Sequence, residues 1–357
     1  QFLLTSDDTV LNPDTAKLKS IATFNYNIDI PPISLGTTVA YVDNSGRFSR
    51  LNEMANIARE GEPNIVEVSK VVPSLLPNDI DLLTNSRENG MILLGKTGTD
   101  TVFGYKYLNI GEKRQQAAWF KWKFNQPLIY HFIIDDEYFI LDDDYYLQRM
   151  SLVESSDELT IAKDGVEYIL HLDNYIPLFG GTYQPNTNST LFSNQNWLNQ
   201  VGGANVSVID RLIVVDPEVT TNNVRLARFQ HPSVSLGNTS NQQLSLDGDW
   251  SSATSSAPLY VGYLFDYEVK FPKFYPFKSG GEGKVQSDVN SSLVLHRIKI
   301  HFGKVGSYQT TLERVGKPDY TEEYESSILD LYTTNGVPFL ETYIKTVPIY
   351  ERNTNID

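Results

Sequence analysis

The chain has 357 residues with a formal net charge of −15, 40% of them hydrophobic and 20% charged, which is enough apolar material for a sizeable core and about two or three domains. That charge opposes the counterion release that drives proteins onto nucleic acid, so it excludes tight gripping of DNA while leaving passing contact open. With no cysteine there is no disulfide, thiol nucleophile or cysteine metal site, and neither an apolar run of roughly 20 residues nor the basic-then-apolar layout of a signal peptide is present.

The 21 Tyr and 17 Phe, with abundant Val, Ile and Thr, favour half-buried pleated surfaces, so strands should dominate. The chain starts at Gln1 without an initiator Met and enters strand-like sequence almost at once, which reads as a fragment of a longer polypeptide. From Ile21 to Val42 two β-branched runs flank Pro31-Pro32 and lead into the turn Asp43-Asn44-Ser45-Gly46, giving strand, loop, strand and tight turn. Over 48–60, Leu51, Met54, Ile57 and Ala58 stand at helical spacing with Ser49 available as a cap, which predicts one short helix. Two prolines between Ser69 and Pro77 break any regular element there.

Met91 to Val153 reads as a series of short strands, MILLGK, TVFGYKYLN, AAWFKWKF, LIYHFII, EYFILD and DYYLQRMSLV. Short connections join them at Thr97 to Asp100, Ile110 to Gln116, Asn125 to Pro127, Asp135-Asp136 and Asp142-Asp143. Consecutive hairpins make a meander, and a meander repeated about an axis is a propeller. Alternation puts Phe120, Trp122 and Phe124 on one face and Trp119, Lys121 and Lys123 on the other, as in a half-buried strand. From Glu154 to Ser256 long Asn, Ser, Thr, Gly and Gln stretches alternate with VSVIDRLIVVD and VRLARFQH, the pattern of an ordered, loop-rich insertion. Strand patterns return in YVGYLFDYEVKF, SLVLHRIKIHFG and SYQTTLERV, where the alternation of His296, Lys299 and His301 against Leu295, Ile298, Ile300 and Phe302 is imperfect but favours a sheet.

The expected architecture is therefore mainly β. Residues 1–153 form a partial, propeller-like meander with one short helix, 154–258 a loop-rich β insertion, and 259–357 a C-terminal segment that is sandwich-like or a further blade.

Gly90 to Thr97, GMILLGKT, satisfies the phosphate-binding pattern of Gly, four residues, Gly, Lys and Ser or Thr. A phosphate-cradling loop follows a strand and opens a helix, whereas Met91 to Leu94 read as the strand itself and another strand follows Thr97, which favours a hairpin. Nucleotide hydrolysis through Lys96 is the weaker reading. Asp135-Asp136-Glu137 and Asp142-Asp143-Asp144 offer carboxylates to a divalent cation, but they sit where strands turn and lack calcium-loop spacing. Leu246 to Trp250, LDGDW, is a polar loop with the same weakness. His131, His171, His231, His296 and His301 are scattered, and the odd separation of the last two places them on opposite faces of a regular strand. No serine occupies a nucleophile elbow. No residue is assigned a catalytic, cofactor or metal role.

The strand pair from Phe103 to Phe124, FGYKYLNIGEKRQQAAWFKWKF, resembles a hairpin of the tail tubular protein B, or nozzle, family of podoviruses. The features that carry the resemblance are Tyr105-Lys106-Tyr107-Leu108, the polar turn ending in Arg114-Gln115-Gln116, and Trp119 with Trp122. It extends through PPISLGTTVAYVDNSGRFSRLNEM upstream and YVGYLFDYEVKFPKF and LHRIKIHFGKVGSY downstream, and is least in the polar middle. The resemblance implies a virion tail component without catalytic residues, in chains longer than this one. It implies a homo-oligomeric ring, a hexamer, continuing the tail below the portal and the adaptor (tubular protein A), with tail fibres nearby and viral DNA passing through without tight binding. Propeller-like and sandwich domains would form the wall, and loop-rich insertions a tip or gate. The alternative is a carbohydrate-binding or carbohydrate-cleaving tail protein, motivated by the aromatics, the loop-rich centre and the many carboxylates that could pair for glycoside hydrolysis.

Overall fold

The computed structural model describes residues 2–6, 14, 16–20, 24–55, 64–110, 113–153, 160–163, 166–169, 172–193, 211–221, 224–236, 242–271, 273–279, 285–288, 290–305, 307–325 and 341–356. Regular structure among them is almost entirely β. Two compact units, Gln1–Asp157 and Glu158–Asp357, each carry their own sheets.

In the first unit, β1 (Phe2–Ser6) and β2 (Ala16–Ser20) form a hairpin. A four-stranded antiparallel sheet follows in chain order, β3 (Ile33–Ser34), β4 (Thr38–Asp43), β5 (Arg50–Ala55) and β6 (Asn64–Glu67). The expected strand before Pro31 is absent over 24–30, because Asn27 folds the chain into a turn, its Oδ1 accepting from Asp29 N at 3.0 Å in the local competition that Asn side chains offer to strand ladders. The expected helix over 48–60 is also overturned. Residues 50–55 are β5, paired on both sides by β4 and β6, so sheet pairing overrides the helical spacing. Ser49 caps nothing: its hydroxyl donates to Asn44 Oδ1 and accepts from Ile80 N. Residues 56–60 lie outside the described residues.

The meander is one six-stranded antiparallel sheet in chain order, β7 (Leu82–Ser86), β8 (Met91–Gly95), β9 (Thr99–Ile110), β10 (Lys113–Ile134), β11 (Glu137–Asp142) and β12 (Leu147–Ser151). The turn expected at Asn125 to Pro127 is instead a bulge within β10. Lys123 pairs with Thr101 and Leu128 with Thr99, so β10 advances five residues while β9 advances two. Looping out the excess there keeps Pro127, which has no N–H to give, out of the β9 ladder.

Alternate residues of β8 enter two cores. Ile92 and Leu94 join Ala40, Val42, Leu51, Ile80, Tyr105 and Tyr107 between the two sheets. Met91 and Leu93 join Leu82, Val102, Leu128, Tyr138 and Ile140, with Phe120, Trp122 and Phe124 half-buried against them. Leu82, on one edge strand, shares that core with Met150 on the other, which requires a strongly twisted sheet curled into a half-barrel. Each fully buried leucine here contributes about 2 kcal/mol of transfer free energy. Trp119, on the opposite face, packs into the inter-sheet core.

In the second unit, β13 (Thr160–Lys163) and β14 (Val166–Ile169) form a hairpin. The next strands are β15 (Asp173–Leu178), β16 (Thr182–Gln184), β17 (Ser189–Phe192), β18 (Leu212–Thr221), β19 (Val224–Gln230), β20 (Ser233–Leu236), β21 (Gln242–Asp247) and β22 (Leu259–Tyr263). They build two four-stranded sheets, ordered β15-β22-β18-β19 and β16-β17-β21-β20. Leu178, Phe192, Leu212, Val214, Leu244, Leu246, Val261 and Tyr263 fill the space between, the pattern of a β-sandwich. The Asn- and Ser-rich middle of the sequence thus carries a packed core, and β22, read from the sequence as C-terminal, is one of its central strands. Beyond it stand three two-stranded ladders: β23 (Phe277–Ser279) with β24 (Val285–Ser287), β25 (Val294–Val305) with β28 (Glu341–Arg352), and β26 (Ser307–Leu312) with β27 (Tyr320–Glu325). The strand expected to run on to Phe271 stops at Tyr263; Leu264 N still donates to Arg211 O at 2.9 Å, and no strand is assigned over 264–271.

Candidate functional site

GMILLGKT runs along the second strand of the curled sheet, next to its edge. Met91 to Gly95 are β8, all buried, between β7 and β9. Gly90 closes the preceding turn at φ +57°, and its carbonyl accepts from Tyr107 N at 2.7 Å. Lys96 is ion-paired with Asp79, and Thr97 N donates to Asp81 Oδ1 at 2.8 Å. The backbone N–H groups that would hold a phosphate are engaged in ladders and turns, and β9, not a helix, follows.

The acidic clusters are turn devices. Asp135 adopts φ 53° in the two-residue loop between β10 and β11. Asp136 Oδ1 accepts from Asn89 Nδ2 at 2.8 Å. Asp142, 1% exposed, accepts from Tyr146 N and Gln148 Nε2, both at 2.8 Å. In LDGDW, Trp250 is buried in the sandwich core and its Nε1 donates to Asp247 O at 2.7 Å. Of the histidines, His171 lies outside the described residues. His231 is exposed, with Nδ1 3.0 Å from Leu212 O. His296 and His301 are both exposed on the two-stranded β25–β28 ladder, with His296 edge-on to Tyr350 at 5.7 Å.

The residues that carried the resemblance converge. Tyr105 packs against Trp119 with rings tilted by 44° and centroids 4.9 Å apart, and lies 6.0 Å from Tyr107. The Arg114 guanidinium sits over Tyr107 at 4.5 Å and meets both oxygens of Glu53, at 2.6 and 3.1 Å. It also donates to Tyr105 Oη at 3.1 Å and Asn109 Oδ1 at 3.2 Å. Burial alone would lower its pKa, yet the Glu53 carboxylate outweighs burial and holds it above the usual value. With its donors committed, Arg114 clamps the four-stranded sheet, through Glu53 of β5, to the base of the β9–β10 ribbon. Past Met91, which pairs with Lys106, that ribbon runs on without β8 and exposes Leu108 and Ile110.

A second constellation lies at β26–β28. Leu312, Arg314, Lys317, Tyr320, Ile349 and Tyr350 line an open groove of about 410 Å³. Lys317 pairs with Glu351, and the Glu351 carboxyl is held below its usual pKa by that hydrogen bond. Tyr350, 70% exposed, is held at φ 50° in a bulge where Ile349 and Tyr350 together oppose His296. Such a conformation usually calls for glycine.

The family described as bacteriophage nozzle protein matches residues 1–357. The chain belongs to that family. Over 322 residues it is 23% identical to tail tubular protein gp12 of Escherichia phage T7, covering 88% of this chain and 38% of that protein. It therefore spans less than half the length of that relative. Nozzle proteins are structural components of the phage tail, which places this nozzle chain in the virion tail.

Within the nozzle chain, the aromatic partners and Arg114 stood out in the sequence only as carriers of the resemblance, with Arg114 expected in a turn and found in β10; Glu53 gave no sign, since it fell in the stretch expected to be helical. Tyr350 was missed as well, although Pro348 within KTVPIYERN is a local sign of an edge or bulge.

Proposed function

We propose that this chain is a wall segment of the short-tail nozzle, in which subunits close a six-membered ring around the channel through which the genome leaves. In this reading the ring continues the tail below the adaptor, tubular protein A, with tail fibres as further neighbours, and has no enzymatic role. The observation that carries it is the family match over residues 1–357. The net charge of −15 supports a surface that DNA passes without adhering to. The curled six-stranded meander supports a propeller-like wall, and the division near residue 153 follows the end of that sheet; the second boundary, expected near 258, is proposed to lie beyond Tyr263, since β22 completes the sandwich. Native mass spectrometry and electron microscopy of the full-length polypeptide with its adaptor test the reading. Six-fold rings that stack on the adaptor are expected, and a protein that stays monomeric at high concentration and fails to join the adaptor refutes it.

The groove at β26–β28 favours one alternative, a carbohydrate-binding role, since Tyr320 and Tyr350 offer aromatic faces beside Arg314, Lys317 and Glu351. A glycan array of host surface polysaccharides decides it. If the groove binds sugar, Tyr350→Gly abolishes the signal while leaving stability unchanged or raised, because glycine suits the positive φ. An array silent for the unmodified protein removes this reading.

A further inference from the structure

The sequence after β22, Phe265-Asp266-Tyr267-Glu268-Val269-Lys270-Phe271, has the strict alternation of a half-buried strand, yet every one of these residues is exposed. Tyr267 is 86% exposed, Val269 53% and Phe271 50%. Alternation sets Phe265, Tyr267, Val269 and Phe271 on one side and Asp266, Glu268 and Lys270 on the other. Lys270 is paired with Glu313 of its own chain at 3.1 Å, so this side carries two acids and one base. Continuous apolar exposure of this kind marks an interaction surface.

The first unit carries a matching edge. β12 is the terminal strand of the six-stranded sheet, with Tyr145, Tyr146, Leu147 and Val153 exposed around it. It lacks the proline, lysine and bulge that natural edges use against pairing. Met150 and the following Leu152 pack against the curled core, whereas Arg149, the only charged residue from 145 to 153, points away with its side chain 68% exposed, paired with Glu137.

We propose that residues 266–271 of one copy add as a seventh strand to the β12 edge of a second copy. The apolar row Tyr267, Val269 and Phe271 then continues the row of Met150 and Leu152, extending the curled core, while Asp266 and Glu268 fall on the side of Arg149. Backbone hydrogen bonds give affinity, and the two rows fix which face turns inward. The two surfaces differ, so the contact is heterologous and repeats from copy to copy, the type that closes rings. This inference rests on the ring reading above and names its interface.

The test uses the full-length polypeptide. A photo-crosslinking benzoylphenylalanine at Tyr267, in a mixture of isotopically heavy and light copies, is expected to give hybrid heavy–light peptides joining it to residues 145–153. The double variant Y267E/V269E, whose substituted side chains are exposed, is expected to keep its circular dichroism spectrum and lose the ring. Rings that persist in the variant, crosslinks confined to one copy, or crosslinks elsewhere overturn the β12 interface and leave the ring standing. A wild-type protein that forms no ring overturns both.

Discussion

Gly90→Ala is expected to destabilise the first unit by about 3 kcal/mol, combining left-handed backbone strain with overpacking. Gly90 stands at φ +57°, and a Cβ there would lie 2.2 Å from the Tyr107 carbonyl oxygen. Relief requires β8 and β9 to part where Tyr107 N donates to Gly90 O, so the strain falls on a ladder hydrogen bond that itself stabilises by about 1 kcal/mol. Lys96→Ala removes only an ion pair with Asp79 whose side chains are 35% and 49% exposed, a change of less than about 1 kcal/mol. Urea denaturation followed by hydrogen exchange of the β8 and β9 amides measures both. Addition of ATP and magnesium is expected to leave the melting temperature of wild type and Lys96→Ala unchanged. A phosphate-binding loop would give the opposite result, with nucleotide stabilisation that vanishes in the lysine variant.

The same octapeptide shows what made parts of this fold legible. Met91 to Leu94 are apolar without a polar alternation, and such a run fits a strand buried on both faces, which is where β8 lies. The hairpin turns at Asp135-Asp136 and Asp142-Asp143 were legible because Asp tolerates turn geometry through local hydrogen bonds, as Asp142 does with Tyr146 N. Where the sequence misled, the deciding contacts were distant along the chain. β5 has Leu51 and Met54 at helical spacing, but Leu51 N donates to Ser69 Oγ at 3.1 Å, and β4 and β6 take its ladder. The sandwich hid for a similar reason: its core comes from short apolar pairs such as Leu244 and Leu246, separated by long polar loops that dominate the composition. Of the clamp, the packed aromatics stand on two neighbouring strands, where period-two patterning brings them together. Its Glu53 arrives from another sheet, and no local pattern announces that contact.

Acid is expected to weaken the first unit before most of its carboxylates titrate, and the group responsible is His131. The side chain is 2% exposed in β10, with Nδ1 2.8 Å from the Tyr138 hydroxyl and Nε2 without a hydrogen-bond partner among the described residues. Burial alone pushes its pKa down to about 4, from 6.5, and burial raises that of Tyr138, so both are neutral at pH 7. Protonation would place a charged donor without an acceptor in the apolar half-barrel, which is why the folded state resists it. The unfolded chain takes up the proton near pH 6.5 and the folded chain only near pH 4. Stability conferred by neutral His131 is therefore complete above pH 6.5 and lost as pH falls through that window, by about 3 kcal/mol. Glu322 and Glu351, whose pKa values are lowered by Lys345 and Lys317, contribute stability that disappears only below the ordinary carboxylate pKa, so the windows separate. Urea midpoints at half-unit steps from pH 7 to 4 should fall for wild type and stay nearly level for His131→Phe. That variant carries a pH-independent cost from the stranded Tyr138 hydroxyl. A wild-type profile that is flat between pH 6.5 and 4.5 would mean that His131 is solvated or paired in the folded chain, and the closed core of the half-barrel would have to be redrawn.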